Sequence, residues 1–299
     1  MSTVELDDIA ARLADGHVPT DADAEVLAST YDIVSLGIVA DDLRRARHGT
    51  RTTFLRVAPL PVAAVREGAV AWPPSAREVR LEGPFVDIEQ AREAVRALAA
   101  AGAAITIAAF SLADLEQAAS GDVLQVRRWI DALRDAGLHL IDEAPVDVLR
   151  HPAALLGAAA DAGVPIARVT VRAAPAEGAL PLIRRVAALQ SETGAVTVFA
   201  PIPRQPGVEP TTGYQDVKAV ALARMLLPDV PHIQADWTLH GPKLAQVALT
   251  FGADDMDNVS ARDEVAEGRR RAPLEEIRRN IRAAGFEAVE RDSRFGIVG

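Results

Sequence analysis

Asp236 and His240 stand four residues apart in the stretch PHIQADWTLHGPKLAQVALTFGADDMDN, Pro231–Asn258. An imidazole beside a carboxylate can serve as a general acid–base pair, so these two are the candidate catalytic residues. A wider polar set accompanies them: Glu82, Ser111, Asp142, Glu143, Arg172, Arg204, Gln205, Asp254 and Asp255. Its carboxylates could hold a divalent cation through oxygen ligands. Equally, Asp236, Asp254 and Asp255 could cap helices or pair with arginine. No metal-ligand set is assigned. The residues expected to contact a ligand are Glu82, Glu143, Arg172, Arg204, Asp236, Trp237, His240, Asp254 and Asp255. Trp237 either stacks on a nucleobase, a contact worth about 1–3 kcal/mol, or packs in the core. Gly241-Pro242-Lys243 lacks the spacing of a phosphate loop, although a helix N-terminus beside Lys243 can accept an anion.

Short β-branched runs alternate with Ala-rich helical stretches and must position these residues. Strands are expected at Arg51–Val57, Glu78–Leu81, Ala104–Ala109, Leu138–Ile141, Ala167–Val171, Val196–Ala200 and His232–Asp236, with an eighth near Ala253–Met256. Helices are expected at Ile88–Ala101, Val123–Ala136, Val146–Ala162, Ala179–Thr193, Tyr214–Leu227 and Pro242–Phe251. Gly102, Gly137, Gly163, Gly194 and Gly252 each follow an apolar-periodic run, as at helix ends. Eight such units predict an α/β, TIM-barrel-like (β/α)8 fold, whose sites lie at the C-terminal ends of the strands. The polar set above falls at those ends. Pro59–Pro74 holds four prolines and one short helical patch, Val62–Glu67, so the first crossover is expected to be truncated. A helical extension (1–49, with helices at Val4–Leu13 and Ala22–Ala46), a barrel (50–258) and a closing helix with an extended strap (259–299) form one expected domain.

The chain has 299 residues, 49% of them apolar, enough for a full-sized core. Its net charge is −10, from 42 acidic against 32 basic residues, which argues against a nucleic-acid groove. Arg269-Arg270-Arg271 is a short run beside acidic neighbours. There is no cysteine, hence no disulfide, thiolate nucleophile or ordinary iron–sulfur ligation. MSTVELDDIA has no signal-peptide pattern, and no apolar run reaches the ~18 residues that span a bilayer, so a cytoplasmic protein without membrane contact is expected.

Five collinear blocks carry a resemblance: LRRARHGTRTTFLRV (Leu43–Val57), AALQSETGAVTVFAPIP (Ala187–Pro203), PTTGYQDVKAVALARMLL (Pro210–Leu227), GPKLAQVALTFGADD (Gly241–Asp255) and EAVERDSRF (Glu287–Phe295). The chain resembles the radical SAM aminofutalosine synthase and dehypoxanthine futalosine cyclase family of menaquinone biosynthesis, and more loosely the deazaflavin-cofactor synthases. The resemblance implies a radical SAM-type barrel and a [4Fe–4S] cluster held by three cysteines after the first strand. Here that strand runs into Ala58-Pro59-Leu60-Pro61-Val62, which offers no iron ligand. The family's Gly-Gly after its second strand is replaced by Glu82-Gly83-Pro84. Its Pro-Gly-Gly-Gly-Ala-Glu run is replaced by Asp142-Glu143-Ala144-Pro145-Val146-Asp147.

The implied SAM-facing half has thus been rewritten, and no cofactor is expected, neither cluster nor SAM. The leading expectation is a cluster-less homologue, a pseudoenzyme acting as partner of an authentic radical SAM enzyme, as a homo-oligomer, or as binder of a small nucleoside-like intermediate. A recruited enzyme using the carboxylate and histidine mouth, with or without a divalent metal, is the alternative. A purely structural subunit is the third, and predicts an exposed apolar patch at the truncated crossover.

Overall fold

The computed structural model describes residues 3–68, 70–102, 105–173, 176–205, 212–265 and 270–298. Three helices lead in: α1 (Thr3–Ala14), α2 (Asp21–Ser29) and α3 (Ile33–His48). The single helix expected over 22–46 is therefore two. Thr30 turns out of α2 into an extended conformation, and Asp32 restarts the helix by accepting the Ser35 N–H at 3.0 Å.

The barrel follows as β1 (Arg51–Pro61), α4 (Val62–Arg66), β2 (Glu78–Glu82), α5 (Ile88–Ala101), β3 (Thr106–Ser111), α6 (Leu112–Ala118), α7 (Val123–Asp135), β4 (Leu140–Pro145), α8 (Pro152–Asp161), β5 (Val169–Thr170), α9 (Leu180–Thr193), β6 (Val198–Ala200), α10 (Gly213–Leu226), β7 (His232–Asp236), α11 (Trp237–Leu249) and β8 (Asp255–Ser260). All eight strands pair in parallel, in chain order, and β8 returns to β1. This is a closed (β/α)8 barrel, with a first crossover reduced to the short α4. After α12 (Pro273–Ala283), the expected strap forms a ninth strand, β9 (Glu287–Arg291). It lies parallel to Arg51–Leu55 of β1, while β2 takes Val57–Pro61. Because β8 occupies the other edge of β1, β9 and β2 share one edge end to end.

Several strands run further than their apolar residues suggest. β3 continues to Ser111, β4 to Pro145, and β8 spans Asp255–Ser260 rather than Ala253–Met256. Ala104, the expected start of the third strand, and Arg269 lie outside the described residues. The cause of the extension is visible in the alternation. Side chains switch faces at each step along a strand. Val79 and Leu81 of β2 and Met256 of β8 point outward into the apolar cluster shared with the helices. Their neighbours Glu78, Arg80, Asp255 and Asp257 are buried polar residues facing the lumen. Charged residues that look like strand ends are interior strand positions.

The helix expected over 146–162 starts only at Pro152. The Glu116 carboxylate accepts the backbone N–H of Arg150 (2.9 Å) and of His151 (3.0 Å), and Asp147 accepts those of Arg172 (2.8 Å) and Ala173 (3.0 Å). These bonds hold 146–151 as a turn. At the truncated crossover Val62 and Val65 are buried, with Leu60, Val70 and Trp72 packed against the core. No exposed apolar patch forms there among the described residues. No described helix is long and apolar enough to cross a membrane.

Candidate functional site

The C-terminal ends of the eight strands form the barrel mouth. Glu143, next to last before Pro145 closes β4, accepts from Arg204 Nε at 3.1 Å and from Thr170 Oγ1 at 3.3 Å. Arg204 also lies 3.4 Å from Asp236 Oδ2, so one guanidinium bridges two carboxylates. Its backbone is fixed by donation to Val171 O at 2.9 Å. Asp236 ends β7 and caps α11, accepting the Leu239 N–H at 2.8 Å, while Asn258 Nδ2 lies 3.3 Å from each of its oxygens. Burial pushes the Glu143 carboxyl up against the pull of Arg204, and partial desolvation likewise raises Glu82, although its position at the rim leaves it open to solvent.

His240 is held close by, but by backbone. Its Nδ1 accepts the Asp236 N–H and its Nε2 faces the Pro203 carbonyl, both at 3.3 Å. A carbonyl only accepts, so the ring is the neutral Nε2–H tautomer. Burial holds its pKa below the usual histidine value, against the nearby Asp236. Gly241 follows with φ 76° and ψ 160°, a kink that divides α11 and lets Pro242 begin its second half.

Beneath the mouth the lumen is closed by charge. Arg80 reaches Glu78 Oε1 at 2.6 Å, Asp142 Oδ1 at 2.9 Å and both Asp257 oxygens at 3.1 Å. Arg168 pairs with Asp142 and, at 2.8 Å, with Asp257. Burial opposes the charge of both arginines, yet these carboxylates outweigh it and raise their pKa values. Burial would also raise Asp257, but Arg168 and Arg80 hold it well below the carboxylate range. A further layer joins Arg291 of β9 to Asp255 through two bonds of 2.6 and 2.7 Å, with Gln234 and Thr53 also on Asp255.

The expected site residues therefore separate. Glu82, Glu143, Arg204, Asp236 and His240 lie at the mouth. Arg172 is there too, facing Asp114 at 3.6 Å. Ser111 caps α6. Trp237 is only 6% exposed and belongs to the apolar core. Asp254 and Asp255 correct the expectation: they precede and begin β8, at the opposite, N-terminal end of the barrel. The eighth strand lies further along the chain than its apolar residues suggest, which moves both away from the mouth. Sequence reasoning missed Arg80, Arg168 and Asp257. The signal for Arg80 and Asp257 was the charged alternation Glu78-x-Arg80-x-Glu82 and Asp255-x-Asp257, whereas Arg168 stands alone among apolar neighbours.

The cysteine-held cluster implied by the resemblance does not fit these residues. From Ala58 to Val65 the chain passes straight from β1 into α4 with no thiolate, imidazole or carboxylate. Behind that segment, the lumen holds the Arg80 and Arg168 ion pairs.

Residues 203–298 match the CofH/MqnC C-terminal region. The aminodeoxyfutalosine synthase of Thermus thermophilus is 25% identical across 96% of this chain and 94% of its own length. That of Streptomyces coelicolor is 31% identical, over 39% of this chain and 36% of its own length. A 5-amino-6-(D-ribitylamino)uracil–L-tyrosine 4-hydroxyphenyl transferase of Methanopyrus kandleri is 37% identical over 38% of this chain and 35% of its own. With the latter two, the match spans about a third of the relative. Among solved structures, methylornithine synthase (PylB) superposes with a TM-score of 0.66 at 14% identity, covering 94% of this chain and 97% of that one. The [FeFe]-hydrogenase maturase HydG gives 0.64 at 14%, covering 97% and 76%. These two likenesses speak for the barrel alone.

Proposed function

We propose that this chain, which resembles the aminodeoxyfutalosine and cyclic dehypoxanthine futalosine synthases, works without radical chemistry and binds a nucleoside-type intermediate at its barrel mouth. The observation that carries this reading is the ion-paired layer of Arg80, Arg168, Asp142 and Asp257. It fills the lumen on the inner side while leaving Glu143, Arg204, Asp236 and His240 above it. Hydroxyl groups of a sugar or polyol suit such carboxylate and guanidinium partners, because both accept or donate charge-assisted hydrogen bonds. A recruited acid–base enzyme has less support, since both ring nitrogens of His240 are taken by backbone groups. A metal at the mouth has less support too, because the Arg204 guanidinium lies between Glu143 and Asp236.

The test is a thermal-shift series with aminofutalosine, dehypoxanthine futalosine, SAM and 5′-deoxyadenosine. A ligand at ~100 times its Kd stabilises by about 2.7 kcal/mol, a rise near 5 °C for a chain of this size. The expected result is a shift with a futalosine nucleoside that Arg204→Ala abolishes, and none with SAM. No shift with either nucleoside overturns the binding role.

A further inference from the structure

Opposite the mouth, three side chains from three elements converge on one point. His48 is the last residue of α3, His232 the first of β7, and Asp254 lies just before β8. Asp254 Oδ2 is 2.6 Å from His232 Nδ1 and 3.6 Å from His48 Nε2, and one ligand atom from each residue lies within 4.8 Å of the others. It is the only such group of three among the described residues. The Pro231 carbonyl sits 3.2 Å from His48 Nε2.

The geometry points to a binding site here for one divalent transition-metal ion of borderline softness, zinc being the type. Two imidazoles and a carboxylate are the donor set such ions take, with a carbonyl or water in the fourth place. At metal–ligand lengths of about 2.0–2.2 Å, tetrahedral donors stand ~3.4 Å apart. The His48–Asp254 spacing of 3.6 Å lies near this, and the His232–Asp254 contact of 2.6 Å lengthens by less than an ångström to reach it.

The donors are held as a metal site requires. Asp254 Oδ1 is fixed by Arg224 and by the Ile233 N–H at 2.9 Å, which leaves Oδ2 turned to the two rings. Such outer partners orient a ligating carboxylate. His232 is stacked flat on Phe295, centroids 3.7 Å apart and planes within 6°, and Arg291 lies over the far ring. His48 is one end of the cluster and only partly exposed, its ring centroid 5.3 Å from that of His232.

Charge decides how tightly an ion is held. Arg224, Arg47, Arg44 and Arg291 all stand near, and each opposes a cation. Arg224 is paired with Asp254, Arg47 with the Val230 and Pro228 carbonyls, Arg44 with the carbonyls of Gly49, Arg51 and Ala253, and Arg291 with Asp255. The negative end of the α3 dipole falls on His48 and favours the ion. The result is a site of moderate affinity. On loading, the protons now on His232 Nδ1 and His48 Nε2 give way, and each ring remains neutral by carrying its proton on the other nitrogen. The ion would tie α3, β7 and β8 to the C-terminal Phe295. The site is independent of the mouth, so its test stands apart from nucleoside binding.

The experiment titrates the full-length, tag-free chain with Co²⁺ and reads the visible bands of four-coordinate cobalt, then displaces them with Zn²⁺. Saturation at one equivalent is expected. His48→Gln and His232→Gln should each weaken binding at least ~10-fold, the lower end of what even an outer-shell change costs, while His151→Gln leaves it unchanged. A second measurement needs no variant: Zn²⁺ should slow carbethoxylation of His48, but not of His151. The assignment is overturned by absent or unsaturable bands, by bands that persist in both variants, or by unprotected His48.

Discussion

A single guanidinium in the lumen, that of Arg80, answers three carboxylates: Glu78, Asp142 and Asp257. Removing one partner of a buried ion pair leaves charge unpaired in a medium that solvates it poorly, at about 3–5 kcal/mol. Arg80→Leu should therefore lower stability by roughly that amount and Tm by roughly 6–10 °C, read by calorimetry. Glu143 gives a pH signature. Burial raises its carboxyl above the ordinary 4.5. Below that value the group is protonated in both states and its contribution is fully present. As pH rises through the folded pKa, the unfolded chain has already lost its proton and the native state loses relative stability. Glu143→Gln should thus gain on the wild type as pH rises from 4.5 toward neutrality, measured as the Tm difference at several pH values.

At the scale of elements, the kink in α11 decides where Asp236 and His240 sit. Gly241 occupies a backbone region, φ 76° and ψ 160°, that is essentially confined to glycine. A Cβ there meets nothing within 4 Å, so the cost of Gly241→Ala is conformational alone. The expected loss is about 1–3 kcal/mol in denaturant melts, with the His240 ring resonances displaced. The elements themselves were largely legible. β7 and α5 match their expected limits, and α5 is marked by its apolar periodicity and the Gly102 stop. The lumen was not legible. A rule that ends a strand at its last apolar residue stops short of Asp142, Glu143 and Asp257, whose burial depends on arginines from other strands. Of the mouth residues, Arg204 was found by its place after a strand and Asp236 by its place at the end of one. Asp254 was misplaced because it lies before one. His48 and His232 meet only through tertiary closure.

Across the whole molecule, β9 ties the segment after the barrel back to the first barrel strand. It pairs with the first half of β1, and its Arg291 neutralises Asp255 inside the barrel. Removing 287–298 should leave Asp255 buried without its guanidinium and the Arg51–Leu55 edge unpaired. The expected outcome is loss of cooperative unfolding and of protease resistance, with helical circular dichroism partly retained. Arg291→Lys, which keeps the charge but not the two-pronged contact, should fall between the truncated chain and the wild type.

The charge layer across the lumen also bears on any attempt to install a cluster. Grafting three cysteines between Ala58 and Val65 would supply thiolates, but Arg80 and Arg168 would still stand in the interior behind them. Each of those arginines shares Asp142 and Asp257 with the other. Removing either arginine alone leaves buried carboxylates short of a partner.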